Sequence, residues 1–416
     1  MPNFALQDEI FEAAAEQFPT PFHLYDEAGI RQRAATLKDA FAWCRDFQEY
    51  FAVKALPNPA ILTILKEEGC GLDCSSETEL MLAERCGFSG RDIMFSANAM
   101  PDRELALARR LEAFVNLDDI THIAILAKNG GIPETICCRY NPGGDFRIGN
   151  TIMGNPGEAK YGFTAPQLSE GLKQLKALGT RRFGLHAFLS SNTIDEAYYP
   201  TLAGMLFRKG RELAAQTGLE LAFINLSGGI GIPYLPDQTA PDIRKIGDRV
   251  RQIYQEVFPD GSVAVKTELG RWMTGPCGWL VARATHHKDT YKHYIGLDAC
   301  AADLMRPAMY GAYHHITVCG KAEAPLDHVY DITGCLCENN DKFAIDRPMP
   351  EIRDGELVVI HDTGAHGYAM GYNYNGRLRS AEILHCQDGS FRMIRRAETP
   401  ADYFATLKLE DETNPL

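Results

Sequence analysis

Four short stretches of this 416-residue chain carry side chains whose types and spacing could do chemistry. The first ends in Lys54, at the close of the apolar run E-Y-F-A-V-K-A-L-P-N-P. Its aromatic and β-branched residues predict a buried strand, and Pro57-Asn58-Pro59 forbids that strand from continuing, so the amine belongs at a strand's carboxyl end. Desolvation there would lower the lysine's pKa and free its amine to attack an aldehyde, although a lysine that snorkels to water reads the same way. The second stretch is the turn N-L-S-G-G-I-G-I-P (225 to 233), where consecutive glycines let backbone N–H groups converge on a phosphate. A tight strand-to-helix turn needs glycine too. A nucleotide loop is excluded, since G-K-[ST] is missing and Tyr234 stands where the third glycine of G-x-G-x-x-G would be. In the third stretch, E-L-G-R (268 to 271), Glu268 could keep a heteroaromatic nitrogen protonated and Arg271 could grip phosphate or carboxylate bidentately. A local ion pair is the plainer reading of those two. The fourth, G-C-L-C-E-N-N-D (334 to 341), sets the free thiol of Cys337 beside Glu338 in a polar turn. Nearby, R-P-A-M-Y (306 to 310) would put Arg306 and Tyr310 on one helix face by their i, i+4 spacing.

Elements must hold these residues in place. From about residue 49 to 270, short β-rich runs alternate with amphipathic helical stretches, and eight strands are expected at 49–55, 71–75, 93–97, 113–117, 135–141, 183–188, 222–227 and 263–268. Eight such strands predict a (β/α)8 TIM barrel, though an open doubly wound sheet also fits the alternation. The barrel gains support because Lys54, Asp73, Asn98, Arg139, Asn141, His186, Gly228 and Glu268 all fall at strand carboxyl ends. The interval 143 to 182 begins glycine-rich and exceeds a normal connection, so a mobile loop is expected there. After residue 276 short alternating strands at 279–285, 294–298 and 356–362 predict a second domain of antiparallel strands.

Composition narrows the classes. With 42 basic against 55 acidic side chains, a net charge of -13 argues against nucleic acid or an anionic membrane as partner and serves solubility. The first residues lack a basic-then-apolar signature, and no run approaches the roughly 18 apolar residues of a membrane helix. Twelve cysteines show neither C-x-x-C pairs nor zinc spacing, which fits reduced thiols in a cytoplasmic protein and no metal site.

Eight motifs in order carry a resemblance: T-P-F-H-L-Y-D (20 to 26), A-V-K-A-L-P-N-P, G-C-G-L-D-C-S-S-E-T-E-L (69 to 80), L-S-G-G-I-G-I-P-Y, E-L-G-R, D-L-M-R-P-A-M-Y-G-A-Y-H (303 to 314), L-C-E-N-N-D and D-T-G-A-H-G (362 to 367). Along almost all its length the chain resembles the fold-type III pyridoxal-phosphate decarboxylases, and among them the diaminopimelate decarboxylase family. The resemblance implies that Lys54 binds the cofactor covalently, Gly228, Gly229 and Ser191 hold its phosphate, and Glu268 faces its ring nitrogen. Asp73 and Gly270 would lie in the same pocket. Arg271, Arg306 and Tyr310 would take the substrate's distal carboxylate or the phosphate, Glu338 its distal ammonium, and Cys337 would supply the proton that replaces the lost carboxylate. It further implies a homodimer whose cysteine-glutamate segments enter each other's sites, and a division into residues 1–28 joining the β domain, a barrel at 29–275 and a β domain at 276–416.

The chain departs from that family at two expected contacts. Phe188, in H-A-F-L-S-S (186 to 191), stands where the family stacks a histidine on the cofactor, and can stack but not donate a hydrogen bond. His366 stands where a tyrosine contacts phosphate or substrate. The implied activity is decarboxylation of meso-diaminopimelate to L-lysine, the last step of lysine biosynthesis. Ornithine, lysine or carboxynorspermidine as substrate, racemisation, and a non-catalytic binding protein of the same fold remain open readings.

Overall fold

The computed structural model describes residues 6–145 and 155–408. The strands, in chain order, are β1 (Phe22–Asp26), β2 (Gln48–Ala52), β3 (Gly71–Cys74), β4 (Ile93–Ser96), β5 (Phe114–Leu117), β6 (Thr135–Arg139), β7 (Arg182–His186), β8 (Glu220–Asn225), β9 (Ala264–Thr267), β10 (Gly278–Asp289), β11 (His293–Leu297), β12 (Ile316–Val318), β13 (His328–Thr333), β14 (Lys342–Met349), β15 (Leu357–Ile360), β16 (Ala381–His385) and β17 (Phe391–Arg395). They form two compact units, one of residues 30–232 and 239–273, the other of residues 6–29, 233–238 and 274–408.

In the first unit β2 to β9 close a parallel barrel, each strand beside its sequence neighbour and β9 beside β2. The eight runs that read as buried strands are these eight. Closure has a local device: Glu49 on β2 accepts hydrogen bonds from the Thr267 hydroxyl and, at 2.7 Å, from the Leu269 N–H beyond β9. The lower interior is filled by Tyr50, Met94, Cys137 and Phe223. Gly184 is required there, because a Cβ would meet the Phe223 ring at 2.2 Å. The buried Lys266 amine lies among three rings, 5.0 Å from Tyr50, 5.3 Å from Phe114 and 5.1 Å from Phe223, and burial lowers its pKa to about 8.

The stretch expected as a loop to residue 182 is a loop only in part. A helix occupies Ala165–Ala177, started by a Thr164–Gln167 capping box and a proline in its first turn, with Leu168, Leu172 and Leu175 turned to the core. The early glycines masked that apolar spacing. Residues 146–154 of the same interval lie outside the described residues.

The second unit is a nine-stranded sheet in which β10 pairs with β1, β11 and β15. It is antiparallel except at β1 with β16 and β11 with β13, where the all-antiparallel expectation fails. Both parallel pairs join strands far apart in the chain, so no tight hairpin dictates their direction. Its core faces hold Leu280, Ile295, Ile332, Phe343 and Val358 on one side and Phe11, Phe22, Trp279 and Ile383 on the other. No helix among the described residues is long and apolar enough to cross a membrane.

Candidate active site

Side chains with chemistry crowd the carboxyl ends of the barrel strands, the face on which such barrels place their sites. Lys54 sits in a one-turn 3-10 helix, Val53–Ala55, that follows β2. Its side chain is exposed rather than desolvated, because the chain turns away from the barrel wall ahead of the helix Pro59–Glu67. Its Nζ lies 5.5 Å from the centre of the Phe188 ring. Gly270 lets the end of β9 approach that turn, since a Cβ would meet Ala55 at 2.7 Å.

Glu268 is the best-anchored group. Its Oε1 accepts from Asn225 Nδ2 at 2.7 Å, and its Oε2 from the Ser227 hydroxyl at 3.0 Å and from His186 Nε2 at 3.0 Å. All four side chains are buried. Burial opposes a charge on Glu268, but the His186 bond and the positive charges of Arg139 and Lys54 outweigh it and hold the carboxyl well below its usual range. Burial keeps His186 neutral, and its Nδ1 has no partner among the described residues. Asp73 behaves oppositely. Burial, reinforced by the Glu268 charge, pushes its pKa well up against the pull of Lys54, and its Oδ1 is likewise unpartnered among the described residues. The environment thus pushes the two carboxyls in opposite directions.

The glycine turn packs as tightly as its composition promised. A Cβ on Gly228 would meet the Glu268 carbonyl at 2.8 Å, and one on Gly229, at φ +116°, would meet the Tyr198 ring at 2.5 Å. Thr193 N–H donates to Gly229 O at 2.9 Å, which ties the turn to the loop holding Ser190 and Ser191. Ser191 is half-buried, while the Ser190 hydroxyl is buried without a partner among the described residues. Arg139, paired with Asp118 at 2.9 Å, lines a pocket with Tyr161 and Phe188. Asn141 instead braces the chain, donating to Pro156 O at 2.9 Å and Tyr161 O at 2.7 Å, and Asn98 is exposed.

The β unit holds the remaining expected residues. Arg306 is buried at the start of the helix Arg306–Tyr310. It donates to His314 Nε2 at 2.8 Å and lies 4.6 Å over the Tyr234 ring, while His314 Nδ1 donates to His361 O at 2.8 Å. Tyr310, at the other end of the same five-residue helix, is 58% exposed. Cys337 and Glu338 are exposed, with Cys337 N–H donating to Asn375 Oδ1 at 2.7 Å. His366 is half-buried in the left-handed region, at φ +57°.

Residues 27–275 match the family model of the pyridoxal-dependent decarboxylase pyridoxal-binding domain, more than half of the chain. This chain belongs to the pyridoxal-dependent decarboxylases. Protein TabA of Pseudomonas amygdali pv. tabaci is 41% identical over 99% of this chain and 96% of its own length. Diaminopimelate decarboxylase of Methanothermobacter thermautotrophicus is 33% identical over 93% of this chain and 91% of its own. The crystal structure of diaminopimelate decarboxylase from M. jannaschii superposes with a TM-score of 0.89 at 28% identity, covering 95% of this chain and 94% of that one, and a second structure of that enzyme is a co-complex with L-lysine.

The decarboxylase's cofactor is pyridoxal phosphate, and the barrel residues fit it. A carboxyl held ionised at Glu268, buried atoms on Asp73, His186 and Ser190 without partners among the described residues, an aromatic face at Phe188 and an exposed amine on Lys54 are what a charged heteroaromatic aldehyde can use. Sequence reasoning named Lys54, Glu268 and the glycines. It missed Asn225 and Ser227, although their i, i+2 spacing just before the glycine pair would have put both on the site side of β8.

Proposed function

We propose that this enzyme decarboxylates meso-2,6-diaminopimelate to L-lysine and carbon dioxide, in the cytoplasm, as the closing step of lysine biosynthesis. The observation that carries the reading is Arg306, a buried guanidinium bonded by His314 and faced by Tyr234, suited to a substrate that keeps a second carboxylate. The 33% identity to a diaminopimelate decarboxylase supports it.

When bound, pyridoxal phosphate supplies a protonated ring that draws in the electrons of the breaking carbon–carbon bond. Glu268, ionised and fixed by three donors, keeps the ring nitrogen protonated. Lys54 would hold the cofactor through Nζ, Phe188 would face its ring, and Gly228, Gly229, Ser191 and Arg271 would hold its phosphate, with Asp73 and Gly270 shaping the pocket. Glu338 takes the distal ammonium, His366 contacts substrate or phosphate, and Cys337 Sγ delivers a proton to the carbon that has lost its carboxylate. Cys337 and Glu338 serve the site of a second copy of the chain in a homodimer, a reading compatible with their exposure on their own unit.

The test is carbon dioxide release from meso-diaminopimelate, L-lysine and L-ornithine in parallel, with and without added pyridoxal phosphate. Release from diaminopimelate alone supports the reading, and faster release from either other substrate overturns it. Mixing inactive Lys54→Ala and Cys337→Ala chains restores activity if the sites are shared.

A further inference from the structure

Two thiols close to the Cys337 loop have no part in this chemistry. Cys300 follows β11 and Cys335 follows β13, and both pack in one small cluster with Ala301, Ala302 and Leu336. Cys300 is 2% exposed and Cys335 half-buried. Cys335 Sγ donates to the Asp298 carbonyl at 3.9 Å, and Asp341 holds the backbone N–H groups that follow the two thiols, those of Ala301 and Leu336. Cys335, the more exposed of the two, is the thiol that a small oxidant reaches first.

The two loops are locked together by Asp341. Its Oδ1 accepts from Ala301 N–H at 2.7 Å and its Oδ2 from Leu336 N–H at 2.8 Å, and its carboxylate fills the space a Cβ on Gly334 would need, 2.3 Å away. On the other side Arg377 donates to Cys335 O at 3.2 Å and Asn375 accepts from Cys337 N–H at 2.7 Å. Cys335, Leu336 and Cys337 are consecutive, so a displacement of Cys335 is passed directly to Cys337.

We propose that Cys300 and Cys335 form a reversible disulfide on exposure to a hydroperoxide, and that this bond switches the decarboxylase off by drawing Cys337 from its anchored position. The Cys335 thiolate attacks one peroxide oxygen, the O–O bond breaks, and sulfur is oxidised by two electrons to the sulfenic acid as hydroxide leaves. The Cys300 sulfur then attacks Cys335, the S–O bond breaks, and the hydroxyl departs with the Cys300 proton as water. A disulfide holds its sulfurs at about 2.05 Å, closer than any pair of separate thiols, so one loop must shift. Formation of the bond does not depend on the proposed function, but its effect on turnover rests on Cys337 being the proton donor.

The experiment treats the purified holoenzyme with hydrogen peroxide, alkylates the remaining thiols and maps peptides without reductant. A single link between the Cys300 and Cys335 peptides, with a loss of carbon dioxide release that dithiothreitol restores, is the expected result. Cys335→Ser and Cys300→Ala keep their activity through the same treatment, and Cys337→Ala still forms the link. Over-oxidation of Cys335 with Cys300 unmodified, a link that includes Cys337, or a link with turnover unchanged overturns the proposal. Full turnover by untreated Cys337→Ala would instead count against the role given to Cys337, and the peptide map separates the two failures.

Discussion

His186 Nε2 and Glu268 Oε2 meet at 3.0 Å with both side chains buried. Because burial keeps the imidazole neutral, the ring donates Nε2–H and Glu268 holds the charge. Removing this partner lets burial dominate, so in His186→Leu the Glu268 carboxyl titrates higher and the acid limb of kcat/KM moves to higher pH. Glu268→Gln, which keeps shape and loses charge, lowers kcat by about 10²–10³-fold. A pH–rate profile of each variant checks both, and an unmoved acid limb in His186→Leu refutes the first.

Arg306 and His314 should govern binding more than turnover. A hydrogen bond to a charged group contributes about 1.5–3 kcal/mol, so Arg306→Met raises KM for diaminopimelate by roughly 10–100-fold. His314→Phe, which removes the acceptor at 2.8 Å, raises it less. Steady-state kinetics decide the matter: a fall in kcat at constant KM would place Arg306 elsewhere in the reaction.

Lys54 and Cys337 separate by colour. Lys54→Ala removes the yellow absorbance of the bound cofactor, whereas Cys337→Ala keeps it and loses about 10²–10⁴-fold in kcat. Absorbance and turnover measured on one preparation distinguish a binding defect from a proton-transfer defect.

Glu49 gives the fold a pH dependence. Burial raises its carboxyl from 4.5 to about 8, outweighing its bonds from Thr267 and Leu269. Between those values the folded chain holds a proton that the unfolded chain has lost, so this contribution to stability, complete below pH 4.5, is lost as pH rises through about 8. The slope approaches about 1.4 kcal/mol per pH unit. Urea midpoints across that window should fall for the native protein and flatten in Glu49→Gln.

Gly229→Ala meets both a left-handed backbone and the Tyr198 ring at 2.5 Å, and should cost at least about 1–3 kcal/mol. Gly90→Ala, at φ +58° with open space around its Cβ, should cost less, about 1–2 kcal/mol. Thermal unfolding of the two variants side by side tests whether packing adds to backbone strain.

The barrel was legible because each strand is a short apolar run that ends in glycine, proline or a polar residue, a signal contained in five or six neighbouring positions. Lys54 and Glu268 could be found the same way, as polar residues at the ends of such runs. What held Glu268 in place could not. His186 reaches it from β7, and Asn225 and Ser227 from the end of β8 and the turn beyond, and contacts between strands leave no trace in local spacing. Tyr310 shows a different limit, since i, i+4 spacing could not say that Arg306 is buried while Tyr310, one turn on, is exposed. Asp341 read as a polar turn residue, yet it ties two loops whose closeness depends on β11 lying beside β13.

β1 lies between β10 and β16, and the Tyr25 hydroxyl donates to Glu382 Oε1 at 2.8 Å across 357 residues of chain. On a ribosome adding about 5–20 residues per second, the first strand made waits roughly 20–70 s for that neighbour. Until then Phe22 and Leu24 can pair only with β10. A fragment beginning at residue 276 would therefore lack the strand that joins β10 to β16.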